Sequence, residues 1–172
     1  MIADKSKYII EPLGDHDRAA FSCGKKPLDR YIRERASQDV KRGLTSVFVI
    51  VSVNNPKTVL AYYTLSSRAL RLDQLPPEIA KKTGKYESVG VTLIGRLAVT
   101  TSSHGQGIGA LALLDALNRS VLASTQVGSF AVFVEAIDDQ AAAFYKKYGF
   151  VELTDAKLKL FLPMKTIVKA FQ

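Results

Sequence analysis

Two short stretches carry residues whose types and spacing suit chemistry. The first is His104-Gly105-Gln106-Gly107-Ile108-Gly109, set between the apolar, β-branched run 91–99 and the apolar-periodic run 110–117. A strand, a glycine loop and a helix in that order put several backbone N–H groups at a helix N-terminus, where the macrodipole also favours negative charge. Gly105, Gly107 and Gly109 lack Cβ atoms, so the chain there can turn with positive φ and approach an anion closely. Phosphate is the ligand such a loop suits, although from the glycines alone a plain strand-to-helix corner stays open. The second stretch is Phe144-Tyr145, which offers a phenol as proton donor. Taken alone, an aromatic pair on a helix is more often core packing than chemistry.

Two familiar phosphate loops do not fit. A Walker A loop needs Gly-Lys-Ser/Thr at the helix start, whereas Gly109 is followed by Ala110 and Leu111, which leaves nothing to hold a triphosphate and magnesium. The dinucleotide fingerprint needs G-x-G-x-x-G near the start of a domain. Here the spacing is G-x-G-x-G and lies past the middle of the chain.

The chain has 172 residues, 47% hydrophobic and 23% charged, which fits one globular domain over 1–172 and is too apolar for disorder. Its single cysteine, Cys23, permits no internal disulfide and fits a reducing compartment. With two histidines and that cysteine, soft ligands are too few for zinc, and no metal is expected. No apolar run reaches the roughly 18 residues of a membrane span, and residues 1–7 have no signal-peptide core. The expected location is the cytoplasm, with no membrane partner. Twenty-four Lys and Arg against sixteen Asp and Glu give a net charge of +8, which favours polyanionic partners.

Residues 8–13 are predicted as a first strand. A helix is predicted from Pro27 or Leu28 to Gly43, with Leu28, Ile32, Ala36 and Val40 on one face and Arg30, Arg33, Ser37 and Lys41 opposite. That basic face reads either as a solvated surface or, extended by Lys25 and Lys26, as a surface for RNA phosphate. Residues 45–53 and 59–66 are predicted as an antiparallel hairpin, with Arg68 and Arg71 directly after it. Residues 75–84 read as an excursion over the substrate side or as a plain surface loop. Residues 131–136 are a predicted buried strand. Asp138 is the expected N-cap of a helix closed by Gly149, and 158–162 is a last strand. This order predicts an α/β fold (α+β, mixed sheet) with helices on both faces.

The glycine loop resembles the pyrophosphate loop of the GNAT acetyltransferases, Arg/Gln-x-x-Gly-x-Gly/Ala after a bulged central strand, with His104 where that family prefers Arg or Gln. A neutral histidine weakens the charge complement, and its contribution should grow as pH falls through a typical value near ~6.5. Phe144-Tyr145 with Tyr148-Gly149-Phe150 is similar to that family's second signature. Over nearly the whole chain, Phe21-x-Cys23-Gly24, Leu28-Asp29-x-Tyr31, Tyr62-Tyr63-Thr64-Leu65-Ser66, Ile94-Gly95-Arg96-Leu97-Ala98-Val99 and Leu160-Phe161-Leu162-Pro163-Met164-Lys165-Thr166 resemble the GNAT toxins of bacterial toxin–antitoxin pairs. One departure is Thr100, where those toxins usually carry an acidic residue.

That resemblance implies the GNAT fold and transfer of acetyl from acetyl-CoA to the α-amino group of aminoacyl-tRNA, which blocks translation. It further implies a ribbon-helix-helix antitoxin, a homodimer, and contact with promoter DNA only through the antitoxin complex. The implied cofactor-binding residues are Leu97, Ala98, Val99, His104, Gly105, Gln106, Gly107, Ile108, Gly109, Ala110, Asp138 and Phe144. The implied tRNA-binding residues are Lys25, Lys26, Arg30, Arg33, Arg68, Arg71 and Arg96.

Tyr145 corresponds to the family's tyrosine that protonates or stabilises the departing thiolate. A phenol at ~10 is a weaker acid than a thiol at ~8.5, so full transfer is uphill by roughly 2 kcal/mol and a hydrogen bond or concerted transfer is expected. The attacking α-amine, with a pKa near ~7.7 to 8, is already partly free base at neutral pH, so a strong enzymic base is dispensable. A backbone N–H of the central strand around Leu97 to Val99 would meet the oxyanion. The alternatives are a GNAT enzyme for a small amine or protein N-terminus, and a non-catalytic CoA- or nucleic-acid-binding regulator.

Overall fold

The computed structural model describes residues 1–172. Its strands are β1 (Tyr8–Pro12), β2 (Ser46–Ser52), β3 (Ala61–Arg71), β4 (Ser88–Val99), β5 (Ala131–Glu135), β6 (Val151–Leu153) and β7 (Ala156–Pro163). They are hydrogen-bonded as one seven-stranded mixed sheet in the order β1-β2-β3-β4-β5-β7-β6. The flanking helices are α1 (Lys26–Arg30), α2 (Ala36–Lys41), α3 (Pro77–Ala80), α4 (Ile108–Ser124), α5 (Asp139–Lys147) and α6 (Met164–Ala170). No helix is long and apolar enough to cross a membrane. The chain divides into two compact units, Met1–Ser66 with Gly95–Ala116, and Ser67–Ile94 with Leu117–Gln172.

In the first unit the period-two alternation of a strand decides which side chain meets which helix. Val47, Val49 and Val51 of β2 and Tyr62 of β3 face one way and pack with Phe21, Tyr31, Ile32 and Ala36. Phe48 and Tyr63 face the other way and stack at 5.3 Å, and the Tyr63 hydroxyl donates to Asp115 of α4 at 2.5 Å. Helices therefore cover both faces of this part of the sheet, as the chain order predicts. Each fully buried Val, Ile or Phe here contributes about 1.5–3 kcal/mol.

The predicted helix from Pro27 contains one irregularity. Between α1 and α2 the segment Tyr31–Arg35 is a π turn, closed by the Ala36 N–H on the Tyr31 carbonyl. A π turn spends an extra residue, so later side chains swing out of the α register. Ile32 and Ala36 stay buried, but Val40 is 40% exposed and Tyr31 enters the core instead. The expected four-residue apolar face is thus wrong at its last position.

In the second unit Leu70, Val91, Ala131, Phe133, Leu153 and Phe161 form a core, with Leu75 buried against it and Ile79 and Ala80 packed on it. The 75–84 excursion is therefore anchored by its own apolar residues. Strand β3 runs on through Arg68 and Arg71, where the sequence suggests a strand ending at 66. Helix α5 begins with Asp138 accepting from the Ala141 N–H at 2.8 Å and ends at Gly149 with φ +95°, both as expected. Strand β6 and helix α6 are additional to the elements read from the sequence.

Candidate functional site

The glycine loop sits in the first unit and is held from three sides. Strand β4 reaches Val99, a 3-10 turn occupies Thr101–Ser103, and α4 starts at Ile108. The Thr100 N–H donates to Leu60 O at 2.8 Å. Its hydroxyl receives the Ser22 N–H at 3.2 Å and donates to Ser22 O at 3.1 Å. Thr100, where the resemblance expects an acid, is thus buried and ties the 21–24 turn to the end of β4. On the other side the Ala3 N–H donates to Gly107 O at 3.0 Å. Ile108, Leu111 and Ala112 are buried, which fixes the first turn of α4.

The amides from Gly105 through Ala110 donate to no acceptor within the protein. A helix leaves its first N–H groups unpaired, and here the preceding glycine loop lengthens that set. Gly105 and Gly107 have φ of +77° and +79°, and a Cβ built on Gly105 would meet nothing within 4 Å. A row of unpaired donors with open space beside it, at the positive end of a 17-residue helix, fits a diphosphate.

His104 takes a different part from the one its position suggests. Its Nε2 lies 2.7 Å from Val99 O, and since a carbonyl only accepts, Nε2 carries a proton and donates. The ring folds back onto the strand end, so the loop's donors are backbone groups. Gln106 is exposed, Ala98 points into the core, and Leu97 and Val99 are half-buried. Strand β4 pairs in parallel with β5 at Thr92–Val132, Leu93–Phe133 and Ile94–Val134 and continues as strand through Gly95 to Val99.

Tyr145, Phe144 and Asp138 lie together on α5 in the second unit. The Tyr145 ring is 6% exposed and sits edge-on to Phe144 and Phe150, at centroid distances of 5.3 and 5.4 Å. Burial alone pushes its phenol well above the ordinary tyrosine range. The hydroxyl has no hydrogen-bond partner in the chain, yet no fully enclosed polar side-chain atom goes unpaired. The oxygen therefore keeps access to solvent while the ring does not. Phe144 also packs on Tyr148, and Asp138 is occupied as the helix cap.

The candidate cations divide between the units. Lys25, Lys26, Arg30 and Arg33 share the α1 region of the first unit. Arg30 faces Glu34 at 4.0 Å with both side chains exposed, a contact worth little. Arg33 donates to Phe21 O. The guanidinium of Arg96 lies 3.6 Å over the Tyr31 ring, so it stacks on an aromatic face instead of pairing with a buried acid. In the second unit Arg68 pairs with Glu135 and Arg71 with Asp73 at 2.7 Å, which offsets their charge.

Three contributors have roles that the sequence does not assign: Ala3, Thr100 and Asp29, whose Oδ1 receives the Cys23 N–H at 2.8 Å. No group of three or more His, Cys, Asp or Glu is placed to hold a metal ion.

Comparison with known proteins adds to this geometry. Residues 84–167 match the acetyltransferase (GNAT) domain family. The chain is 33% identical over 149 residues to a tRNA-acetylating toxin of Mycobacterium tuberculosis, covering 87% of each protein. It is similar to the solved structure of AtaT complexed with acetyl-methionyl-tRNAfMet, with a TM-score of 0.89, 30% identity and coverage of 96% of this chain and 99% of that one. It is also similar to a Tyr-to-Phe mutant of the AtaT toxin bound to the C-terminus of the antitoxin AtaR and acetyl-CoA, with a TM-score of 0.83, 28% identity and coverage of 96% and 99%.

Proposed function

Because the chain belongs to the GNAT acetyltransferase family, we propose that it is a toxin that transfers acetyl from acetyl-CoA to the α-amino group of aminoacyl-tRNA and so blocks translation. The observation that carries this reading is the likeness, along 96% of the chain, to a toxin solved with an acetylated aminoacyl-tRNA. The net charge of +8 suits a polyanionic acceptor. The transferase activity is assigned to residues 1–172 as a single domain.

In this reading the amides of Gly105 to Ala110 hold the coenzyme A diphosphate, with His104, Gln106 and the α4 dipole behind them. Leu97, Ala98 and Val99 offer backbone groups to the acetyl arm, and one N–H among them meets the oxyanion that forms as the amine attacks the thioester carbonyl. Asp138 and Phe144 line the cofactor on α5. Tyr145 donates a hydrogen bond to the departing sulfur. Its raised pKa makes it a poorer acid still, so it stabilises the developing thiolate without itself giving up the proton in a separate step.

Lys25, Lys26, Arg30 and Arg33 are the main contacts for acceptor-stem phosphates. Arg68 and Arg71, each paired with a carboxylate at close range, and Arg96, stacked on the Tyr31 ring, contribute less. The partners proposed are a ribbon-helix-helix antitoxin, promoter DNA through the antitoxin complex only, and a second copy of the chain. The site of action is the cytoplasm, where charged tRNA and acetyl-CoA occur together.

The deciding experiment supplies labelled acetyl-CoA with charged and with deacylated total tRNA. Label on charged tRNA alone is the expected result. Label on neither, with well-folded protein, overturns the assignment.

A further inference from the structure

The turn before α1 and the π turn after it are cross-tied by two arginines in opposite senses. Arg18 Nη1 donates to Ile32 O at 3.0 Å, while Arg33 Nε donates to Phe21 O at 3.1 Å. The loop's own turn, Phe21 N–H to Arg18 O at 3.2 Å, closes the circuit. Each guanidinium is fixed by a backbone carbonyl, and neither has a carboxylate partner. A guanidinium has five N–H donors, so both keep several to offer elsewhere.

Both arginines line one surface pocket of about 440 Å³, together with His16, Asp17 and Ala19. Asp17 is its only carboxylate, and Asp17 Oδ1 receives the Ala19 N–H at 3.1 Å. His16 Nδ1 accepts the Gly14 N–H at 3.0 Å, so its ring proton lies on Nε2 and points to Glu11 at 2.8 Å. The histidine is thus a neutral wall. Two preorganised cations against one carboxylate leave an anion pocket with little side-chain freedom to lose on binding. Planar forks of this kind match the oxygens of phosphate.

We infer that the pocket formed by Arg18 and Arg33 seats a backbone phosphodiester of the tRNA substrate. The inference rests on the aminoacyl-tRNA reading above and adds Arg18, which no basic run in the sequence marks. Arg30 and Lys26 lie about one and two helical turns ahead of Arg33 on the same segment, so cations recur along the surface leading to the pocket. A repeating polyanion uses such a row; a single carboxylate of a peptide does not.

The test compares wild type with Arg18→Gln, Arg33→Gln and Arg18→Lys. Steady-state acetylation of aminoacyl-tRNA and the affinity for that tRNA are measured over a range of KCl. Acetyl-CoA affinity and melting temperature report on the fold. Expected for either Gln variant is a KM for tRNA raised at least fivefold with kcat within twofold. The slope of log affinity against log salt should become shallower by about one for each phosphate no longer neutralised. Arg18→Lys should restore part of the affinity.

Folded variants with wild-type KM and salt slope overturn the pocket. So does loss of binding to an acidic antitoxin peptide while tRNA kinetics stay unchanged, which would give the pocket to the peptide. Wild-type protein that acetylates no charged tRNA overturns the function itself, a result separate from either.

Discussion

The backbone N–H of Ala3 donates to the carbonyl of Gly107 at 3.0 Å, so the first residues of the chain lie against the outer side of the glycine loop. A Cβ on Gly107 would fall 2.6 Å from Ala3 N and 2.9 Å from Ile2 C, both backbone atoms, at a φ of +79°. Gly105 has nearly the same φ, +77°, but open space around it. Both substitutions to alanine carry the left-handed penalty of roughly 1–2 kcal/mol, and only Gly107→Ala adds a collision that side-chain movement cannot relieve. Gly107→Ala is therefore expected to lower the melting temperature more than Gly105→Ala. It should also weaken acetyl-CoA binding at least tenfold by calorimetry as the loop is pushed off its support. Equal melting temperatures for the two variants would show that the N-terminal residues do not brace the loop.

Tyr145→Phe removes one oxygen from a ring that is otherwise packed between Phe144 and Phe150. The apolar contacts survive, so acetyl-CoA affinity should stay within twofold while kcat drops at least tenfold, within the range for loss of one proton-donating group. The phenol's pKa is displaced upward by burial. In wild type it should therefore stay protonated through pH 10 and produce no descending limb below that. The ascending limb should follow the substrate α-amine, near ~7.7 to 8. Unchanged turnover in Tyr145→Phe removes the phenol from the mechanism.

Thr100 occupies a position where an acid is expected from the resemblance, and its two hydroxyl bonds to Ser22 explain what a short hydroxyl does there. Thr100→Val keeps the shape and loses both. Ser22 is exposed, so water can replace part of the loss, and a cost of about 1 kcal/mol is expected in urea unfolding. A neutral effect would mean that the tie between the 21–24 turn and the end of β4 rests on the backbone bond from the Thr101 N–H to Ser22 O alone.

What the sequence makes legible is whatever local pattern determines. The β-branched strand β2, the Asp138 cap, the Gly149 stop and the positive φ of Gly105 and Gly107 all follow from residue type at fixed spacing and stand where expected, whereas Gly109, expected to share that turn, is already inside the first turn of α4 without a positive φ. The π turn does not, because nothing in the apolar spacing of Leu28, Ile32, Ala36 and Val40 distinguishes i→i−4 from i→i−5 bonding. Only the packing of Tyr31 against Tyr62, at 6.3 Å, and its bond to Asp39 at 3.0 Å accompany the extra residue. Ala3, Thr100 and Arg18 are likewise illegible, since each acts through a partner far away in sequence. Charge counting also treats Arg68 and Lys26 alike, whereas the fold pairs the first with Glu135 and gives the second no carboxylate.

Stability at alkaline pH should follow from the buried acids of the first unit. Desolvation, helped by the neighbouring Asp29, raises the Cys23 thiol from 9.0 to about 11. Desolvation and the bond to Asp39 raise Tyr31 from 10.0 to about 12, and burial moves Tyr62 up further. In each case the folded state holds its proton more tightly than the unfolded chain. The native state thus keeps its full stability below the unfolded value and loses it as pH rises toward the folded one. For Cys23 that window is pH 9 to about 11; for Tyr31 it is pH 10 to about 12. Urea unfolding should therefore give a flat stability between pH 7 and pH 9 with respect to these groups and a decline above it. Cys23→Ala should reduce the fall between pH 9 and pH 10.5 by about 1 kcal/mol. A decline with the same slope in wild type and Cys23→Ala would assign the alkaline limb to the tyrosines.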